Sequence, residues 1–180
     1  DWSESRGLGD VYKRQLETPY EVTSFALKKA KEKGLATILN PAPACKIKDD
    51  DFELIDFFTP NETEAEFYLN KKIETEKDIK SASEEFLKKG IKNIVITLGE
   101  KGCYFANKKE NFFVEAFKLK DPVLDTTGAG DAFNGALAVG LSKDLDIKEA
   151  LTFANQVAAI STTKQGAAAS MPSMKDLNNY

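Results

Sequence analysis

"DTTGAGDAFNG", residues 125–135, places Gly128, Ala129 and Gly130 directly before Asp131 and then turns apolar. Glycine and aspartate both serve at helix N-caps, so the plain reading is a helix start. A second reading is an anion site with a carboxylate standing in it. Glycines let a backbone approach a ligand, and the free N–H groups of a helix N-terminus attract negative charge. A phosphoryl group in transfer carries its charge on peripheral oxygens, which backbone donors stabilise. Asp131 would repel a resting phosphate, yet it suits a group that takes the proton of an attacking hydroxyl. No Gly-x-x-x-x-Gly-Lys-[Ser/Thr] loop exists in the chain, and Phe133 occupies the third glycine of a dinucleotide fingerprint. The stretch therefore reads as kinase-like.

Composition narrows the classes. The 180 residues, 42% apolar with net charge −4, suffice for one domain with a real core. The acidic balance argues against nucleic acid as a partner, and no apolar run approaches the roughly 18 residues of a membrane span. Cys45 and Cys103 match no metal spacing and are expected as buried thiols of a reducing, cytoplasmic compartment. Histidine is absent, which removes any imidazole base or His-ligated zinc. The opening "DWSESRGLGDVYKRQ" holds the sole tryptophan, Trp2, and both arginines, Arg6 and Arg14; from Gln15 onward every basic residue is lysine. Residues 1–14 are accordingly set aside as foreign, and 15–180 are taken as the domain, the C-terminal part of something larger.

From Thr18 the chain alternates. "TPYE" predicts a capping box, with Thr18 as N-cap and Pro19 at the first helical position, for a helix that closes at Gly34. "LATILN" is an apolar strand of the kind buried on both faces. Ile55–Phe58 predicts a second strand, followed by a Thr-Pro-x-Glu box that opens a helix at Pro60. A helix over about 75–89 points Ile79, Ala82 and Phe86 inward, and "IKNIVITLG" is the next strand. "GCYFAN" and "NFFVEAF" read as a hairpin about "KKE". The last third predicts helices over 131–141 and 146–161, the second with an Asp-x-x-Glu box. No linker divides the chain. The implied fold is α/β, a three-layer Rossmann-like arrangement with a mainly parallel sheet and helices on both faces.

Ligands bind beyond the C-terminal ends of such strands. The residues there are "NPAPA", "TPNETE" and "TLGEKG", with "DTTGAGD" preceding the helix at Asp131. Each alone is ordinary turn chemistry; all on one sheet edge point to a site.

Together, "DTTGAGDAFNGAL", "LNPAPA", "TPNETEAE", "TLGEKG" and "FANQVAAISTTKQGAAASMPS" resemble the ribokinase family of sugar kinases in order and spacing, from about Gln15 to the C-terminus. The resemblance implies ATP-dependent phosphorylation of a sugar's primary hydroxyl, most closely that of D-ribose, with a fructokinase-like acceptor as the alternative. It makes Asp131 the general base and Gly128, Ala129, Gly130 and Asp131 the anion hole. Asn61 and Glu64 match an Asn-x-x-Glu pair that orders Mg2+ and the nucleotide phosphates through water. Thr97, Leu98, Gly99, Glu100, Lys101 and Gly102 match the turn lining ATP, which Gly130 also touches, and Asn155 a residue beside the adenine. Asp125, Thr127, Ser161, Lys164, Gly166 and Ser170 match loops that hold a monovalent cation, K+, several of them by backbone carbonyl. Glu17 matches a sugar contact. A cytoplasmic homodimer is implied for the intact protein.

The family's N-terminal sugar-binding segment and lid have no counterpart here, which predicts an exposed sheet edge and an inactive chain. Two other classes compete. A nicotinamide-dependent reductase would need an early strand–GxG–helix unit, which the chain lacks. A non-catalytic nucleotide-binding module would have no use for Asp131.

Overall fold

Apolar strands with crossover helices between them dictate a parallel sheet, and the computed structural model, which describes residues 11–180, contains one. Its order is β1 (Val11–Gln15), β2 (Ala36–Asn40), β3 (Phe57–Phe58), β4 (Asn93–Thr97), β5 (Cys103–Asn107) and β6 (Asn111–Val114). The pairs β1–β2, β2–β3 and β3–β4 are parallel, and β5 turns back antiparallel on β4. Helix α1 (Tyr20–Glu32) connects β1 to β2, while α2 (Glu62–Leu69) and α3 (Glu76–Lys88) connect β3 to β4. The alternation has no break in sequence, yet the contacts fall into two compact units. One comprises residues 11–99 with 103–113, and the other residues 100–102 with 114–180.

In the first unit Leu27, Leu39, Ile55, Ile94 and Ile96 are fully buried around an aromatic cluster, and Ile38 is buried as well. The Phe58 ring meets Phe52, Tyr68 and Phe86 edge-on, with centroids 6.1, 5.5 and 5.2 Å apart. Ile79, Ala82 and Phe86 of α3 face inward as their spacing predicts, and Thr75 caps that helix in a reciprocal box with Asp78. In the second unit α4 (Ala129–Ser142) packs on α5 (Ile147–Ser161), burying Phe133 and Leu137 from one helix and Leu151, Ala154 and Ile160 from the other. Asp146 caps α5 by accepting the Glu149 N–H at 2.8 Å. A short α6 (Met174–Asn178) follows.

Several boundaries differ from the sequence expectation for local reasons. Strand β1 takes in residues 11–14, which composition had set aside; residues 1–10 lie outside the described residues. Thr18 is not the N-cap of α1. Its hydroxyl accepts from Arg14 Nη2 at 2.5 Å, and Pro19 caps with no side-chain bond. Helix α2 opens at Glu62 rather than Pro60, because Asn61 and not Thr59 is the cap. Strand β3 is two residues long, because a 3₁₀ turn (Asp49–Leu54) runs up to its foot. Helix α4 starts at Ala129, ahead of Asp131. Cys45 and Cys103 form no disulfide, and among the described residues no helix is long and apolar enough to cross a membrane.

The foot of the sheet is tied by one carboxylate. Asp56, 7% exposed, accepts from Lys31 Nζ at 2.8 Å, Lys92 Nζ at 2.7 Å and the Thr37 N–H at 2.9 Å. Burial alone would raise its carboxyl, but the hydrogen bonds from Lys31 and Lys92 outweigh this and hold it below the usual carboxylate range. Asp56→Asn should lower the unfolding free energy at pH 7, read by urea titration, by about 2 kcal/mol. That is less than the roughly 3–5 kcal/mol of a fully buried pair, because both ammonium groups reach solvent. A depressed folded value means the contribution is complete above the unfolded carboxylate pKa, near 4, and is lost as pH falls through the lower folded value. The gap between wild type and variant should therefore close in acid.

Candidate active site

In the first unit the C-terminal ends of the parallel strands are linked side to side by polar groups. Gln15 Nε2 donates to Asn40 Oδ1 at 3.3 Å, and Asn40 Nδ2 donates to the Thr59 carbonyl at 3.0 Å. The Thr97 N–H donates to the Pro60 carbonyl at 2.9 Å, and Asn61 bridges to Thr97 in parallel. The turns after β3 and β4, read separately in the sequence, thus meet. Asn61 and Glu64 form a capping box: Asn61 Oδ1 accepts the Glu64 N–H at 2.8 Å, and Glu64 Oε2 accepts the Asn61 N–H at 2.9 Å. The pair is thereby fixed in orientation, and one Glu64 oxygen is committed to α2 itself. Burial lifts the Glu64 carboxyl above the usual glutamate value, against the pull of the Asn61 N–H. Glu17 is exposed just past the end of β1. Leu98 is buried in the core, so only its backbone lines this edge, whereas Gly99 is exposed.

The second unit holds the remaining candidates. Gly128 caps α4 in the left-handed region, with φ 81°, and no side chain closes the helix. A Cβ there would lie 3.1 Å from both Cα and Cβ of Ala167, so the loop passes close over the helix start. The first helical bond runs from Ala132 N to the Gly128 carbonyl at 2.9 Å, and the Ala129 N–H donates to the Thr126 carbonyl at 3.2 Å. Asp131 is half-buried in this first turn. Asp125 holds the approach in place: Oδ1 accepts the Thr127 N–H at 2.9 Å, and Oδ2 accepts the Gly166 N–H at 2.9 Å. Those donors, Gly166 first, keep its carboxyl below the usual aspartate value. The Leu124 and Asp125 amides both donate to the Thr162 carbonyl, at 2.8 and 3.1 Å, so the two loops are stitched together.

Within those loops the side chains are largely spent on the backbone. Ser161 Oγ donates to the Ala158 carbonyl at 2.7 Å, Ser170 Oγ to the Ala167 carbonyl at 2.8 Å, and Lys164 Nζ pairs with Asp176 at 3.0 Å. Asn155 is buried rather than solvent-facing. Its Nδ2 donates to the Val114 and Glu115 carbonyls at 3.3 and 3.1 Å, clamping α5 to the end of β6. Gly102 lies against the same backbone, while Glu100 and Lys101 before it are exposed. The sequence reading passed over Thr162, which acts by its carbonyl and so leaves no side-chain signal. It also passed over Asn134, whose signal is a polar residue inside an apolar run, and took Asn40 only as the start of "NPAPA". Among the described residues no group of three or more Asp, Glu, Cys or His side chains is placed to hold a metal.

A model of the pfkB family carbohydrate kinases matches residues 14–174. The chain belongs to the pfkB family of carbohydrate kinases. As a member of that family it is 40% identical over 170 residues to the ribokinase of Staphylococcus aureus, covering 94% of this chain and 55% of that protein. To the deoxyribokinase of Salmonella typhimurium it is 36% identical over 167 residues, with 92% and 54% covered. Among solved structures it is similar to Thermotoga maritima ribokinase, at TM-score 0.84 and 37% identity over 94% of this chain and 56% of that one. It is also similar to Arabidopsis thaliana ribokinase complexed with ribose and ATP, at TM-score 0.90 and 29% identity, with 94% and 55% covered. The family resemblance and the α/β fold read from the motifs are borne out, and the chain spans about half the length of the curated relatives it matches.

Gly102 offers a direct check on this geometry. It sits at φ 95°, and a Cβ would lie 2.1 Å from the Val114 carbonyl oxygen and 2.6 Å from Ala116 N. Backbone on both sides cannot yield as a flexible side chain would. Gly102→Ala should destabilise the second unit by more than about 2 kcal/mol, combining left-handed strain with the overlap. A thermal melt followed through Tyr180 and Phe117 resonances, whose rings pack 6.2 Å apart, would register the loss.

Proposed function

We propose that this chain is the nucleotide-binding and phosphoryl-transfer part of an ATP-dependent sugar kinase that phosphorylates the primary hydroxyl of D-ribose. The observation that carries the reading is Asp131 in the first turn of α4, directly behind a glycine cap that has no side chain of its own. In the proposed reaction the sugar hydroxyl oxygen attacks the γ-phosphorus, the bond to the β–γ bridging oxygen breaks, and the proton passes to Asp131. The Gly130 and Asp131 amides meet charge that grows on the peripheral oxygens. S. aureus ribokinase at 40% identity supports ribose as acceptor; the deoxyribokinase similarity at 36% favours deoxyribose as the second reading.

Residues 15–180 supply this part, and residues 1–14 are read as foreign to it. Mg2+ needs only one or two carboxylates and keeps several waters. Glu64 fits, with one oxygen fixed by the Asn61 N–H and a second to receive a metal-bound water. When bound, the ion neutralises phosphate charge. For K+ the donors would be Asp125, Thr127 and the carbonyls of Ser161, Lys164, Gly166 and Ser170. The serine hydroxyls and the lysine ammonium are already engaged elsewhere, which suits a site made of backbone oxygens. Thr97, Gly99, Glu100, Lys101 and Gly102 would line the nucleotide, Asn155 would set the wall near the base, and Glu17 would reach the sugar.

The test uses two proteins. The 180-residue chain should bind MgATP in a calorimetric titration without ribose-dependent ADP release. The intact protein, with its upstream reading frame restored, should release ADP in proportion to ribose, faster with K+ than with Na+. In that protein Asp131→Asn should leave MgATP affinity within about threefold and reduce turnover by roughly two to four powers of ten. Turnover within threefold of wild type would remove Asp131 from the chemistry.

A further inference from the structure

Strand order decides what stands between the two ends of this sheet edge. β2 lies between β1 and β3, so the loop after it, residues 41–48, leaves the sheet between two groups of site candidates. Glu17 follows β1 on one side, and Asn61 with Glu64 follows β3 on the other. The loop has no helix or strand of its own. Pro41 and Ile47 are buried in it, while Pro43 and Lys46 are exposed.

Three elements fix its path. The Leu16 N–H, just past β1, donates to the Ala42 carbonyl at 2.9 Å. Tyr68 Oη, from α2, donates to the Cys45 carbonyl at 2.7 Å. Tyr20 Oη, from α1, accepts the Lys48 N–H at 3.0 Å and itself donates to Asp51, which is 2% exposed. Of these, the Tyr68 contact joins the loop to the helix that opens with Glu64. Tyr68 lies four residues beyond Glu64, one turn along the same face of α2.

The ring and the hydroxyl of Tyr68 have separate tasks. The ring belongs to the aromatic cluster, with centroids 5.5 Å from Phe58, 6.4 Å from Phe52 and 6.5 Å from Phe86. A phenylalanine would serve there equally well. Burial, the largest cause, holds the hydroxyl well above tyrosine's usual value, so it stays protonated and able to donate. What the hydroxyl adds is the tie to the loop.

We infer that Tyr68 is a positioning residue: its hydroxyl latches the loop after β2 onto the helix that carries Glu64, and so keeps the wall between the acceptor side and the metal side in register. The meaning of those two sides rests on the function proposed above; the latch does not. Phosphoryl transfer depends chiefly on alignment of acceptor and phosphate, so a slack wall costs turnover more than nucleotide affinity.

Tyr68→Phe removes the hydroxyl and keeps the ring, so the fold should persist with a melting temperature within about 4 °C of wild type. In the 180-residue chain without ligand, hydrogen exchange of the Ala44–Lys48 amides should quicken about three- to tenfold, one hydrogen bond's worth. In the intact protein kcat should fall about three- to tenfold with the KM for MgATP within about twofold. A purely structural loss would lower the folded fraction and leave both constants of the folded enzyme unchanged. Exchange of the loop amides at the wild-type rate overturns the inference. So does wild-type kcat in an active intact protein whose loop has loosened, which would leave Tyr68 to packing alone. An intact protein that phosphorylates neither ribose nor deoxyribose sinks the proposed function, and the exchange rates then decide the latch by themselves.

Discussion

Everything at the upper edge of the sheet depends on how its lower edge is pinned. Asp56 enters β3 from below and gathers the end of α1 through Lys31, the start of β2 through Thr37 and the start of β4 through Lys92. Strand β3 is only two residues long, so its own ladder is too short to fix the register of its neighbours. The carboxylate does what that ladder cannot. With the feet aligned, the strands end together, and Asn40, the Thr59 and Pro60 carbonyls, Asn61 and Thr97 fall into one hydrogen-bonded row. A slip of one residue would reverse the faces of Ile38 and Leu39, both fully buried, and break that row at the same time.

The sequence carried the strongly periodic parts of this arrangement. Ile79, Ala82 and Phe86 recur at helical spacing because α3 has one wet face, and the apolar run before Thr97 marks β4 because parallel strands are covered on both sides. Boundaries were less legible, since several residues compete for one cap. Thr18 and Asn61 are both good cap residues. Thr18 is drawn away by Arg14, while Asn61 wins over Thr59 because Glu64 stands at the right distance to answer it. The foot of the sheet was not legible at all. Asp56, Lys31 and Lys92 look like ordinary surface charges in sequence, and only the fold brings them together.

The candidate site was legible to the extent that its chemistry sits in side chains. Asp131 stands out by its place after the glycines, and Asp125 and the Asn61–Glu64 pair through the family resemblance. The partners that give them orientation are mostly backbone: the Gly166 and Thr127 amides for Asp125, the Asn61 amide for Glu64, and the Thr162 carbonyl for the loop before Gly128. Backbone groups are the same in every residue, so no sequence pattern announces them. Asn155 illustrates the limit from the other side. In sequence it is a polar residue on an apolar helix, whereas in the fold its amide is spent on the Val114 and Glu115 carbonyls, beside the backbone that Gly102 approaches. Its first task is to hold a wall.

A contrast between helices bears on where an anion would settle. Whereas α1, behind Pro19, and α4, behind Gly128, have no side-chain cap, the N-termini of α2, α3, α5 and α6 are each answered by a side chain, from Asn61, Thr75, Asp146 and Ser173. Their acidic first-turn partners also offset the positive end of the dipole. Helix α4 begins on Gly128, which has no side chain to offer, and the positive φ that only glycine accepts comfortably turns the chain away from the helix end. From Gln15 onward the chain contains no arginine, so phosphate charge on the proposed reading must be met by amides, lysines and metal ions. An uncapped helix start is then the arrangement such a chain needs. On the proposed reading Asp131, in the same turn, would keep a resting anion from binding there too firmly and would take up the proton that arrives with the attacking hydroxyl.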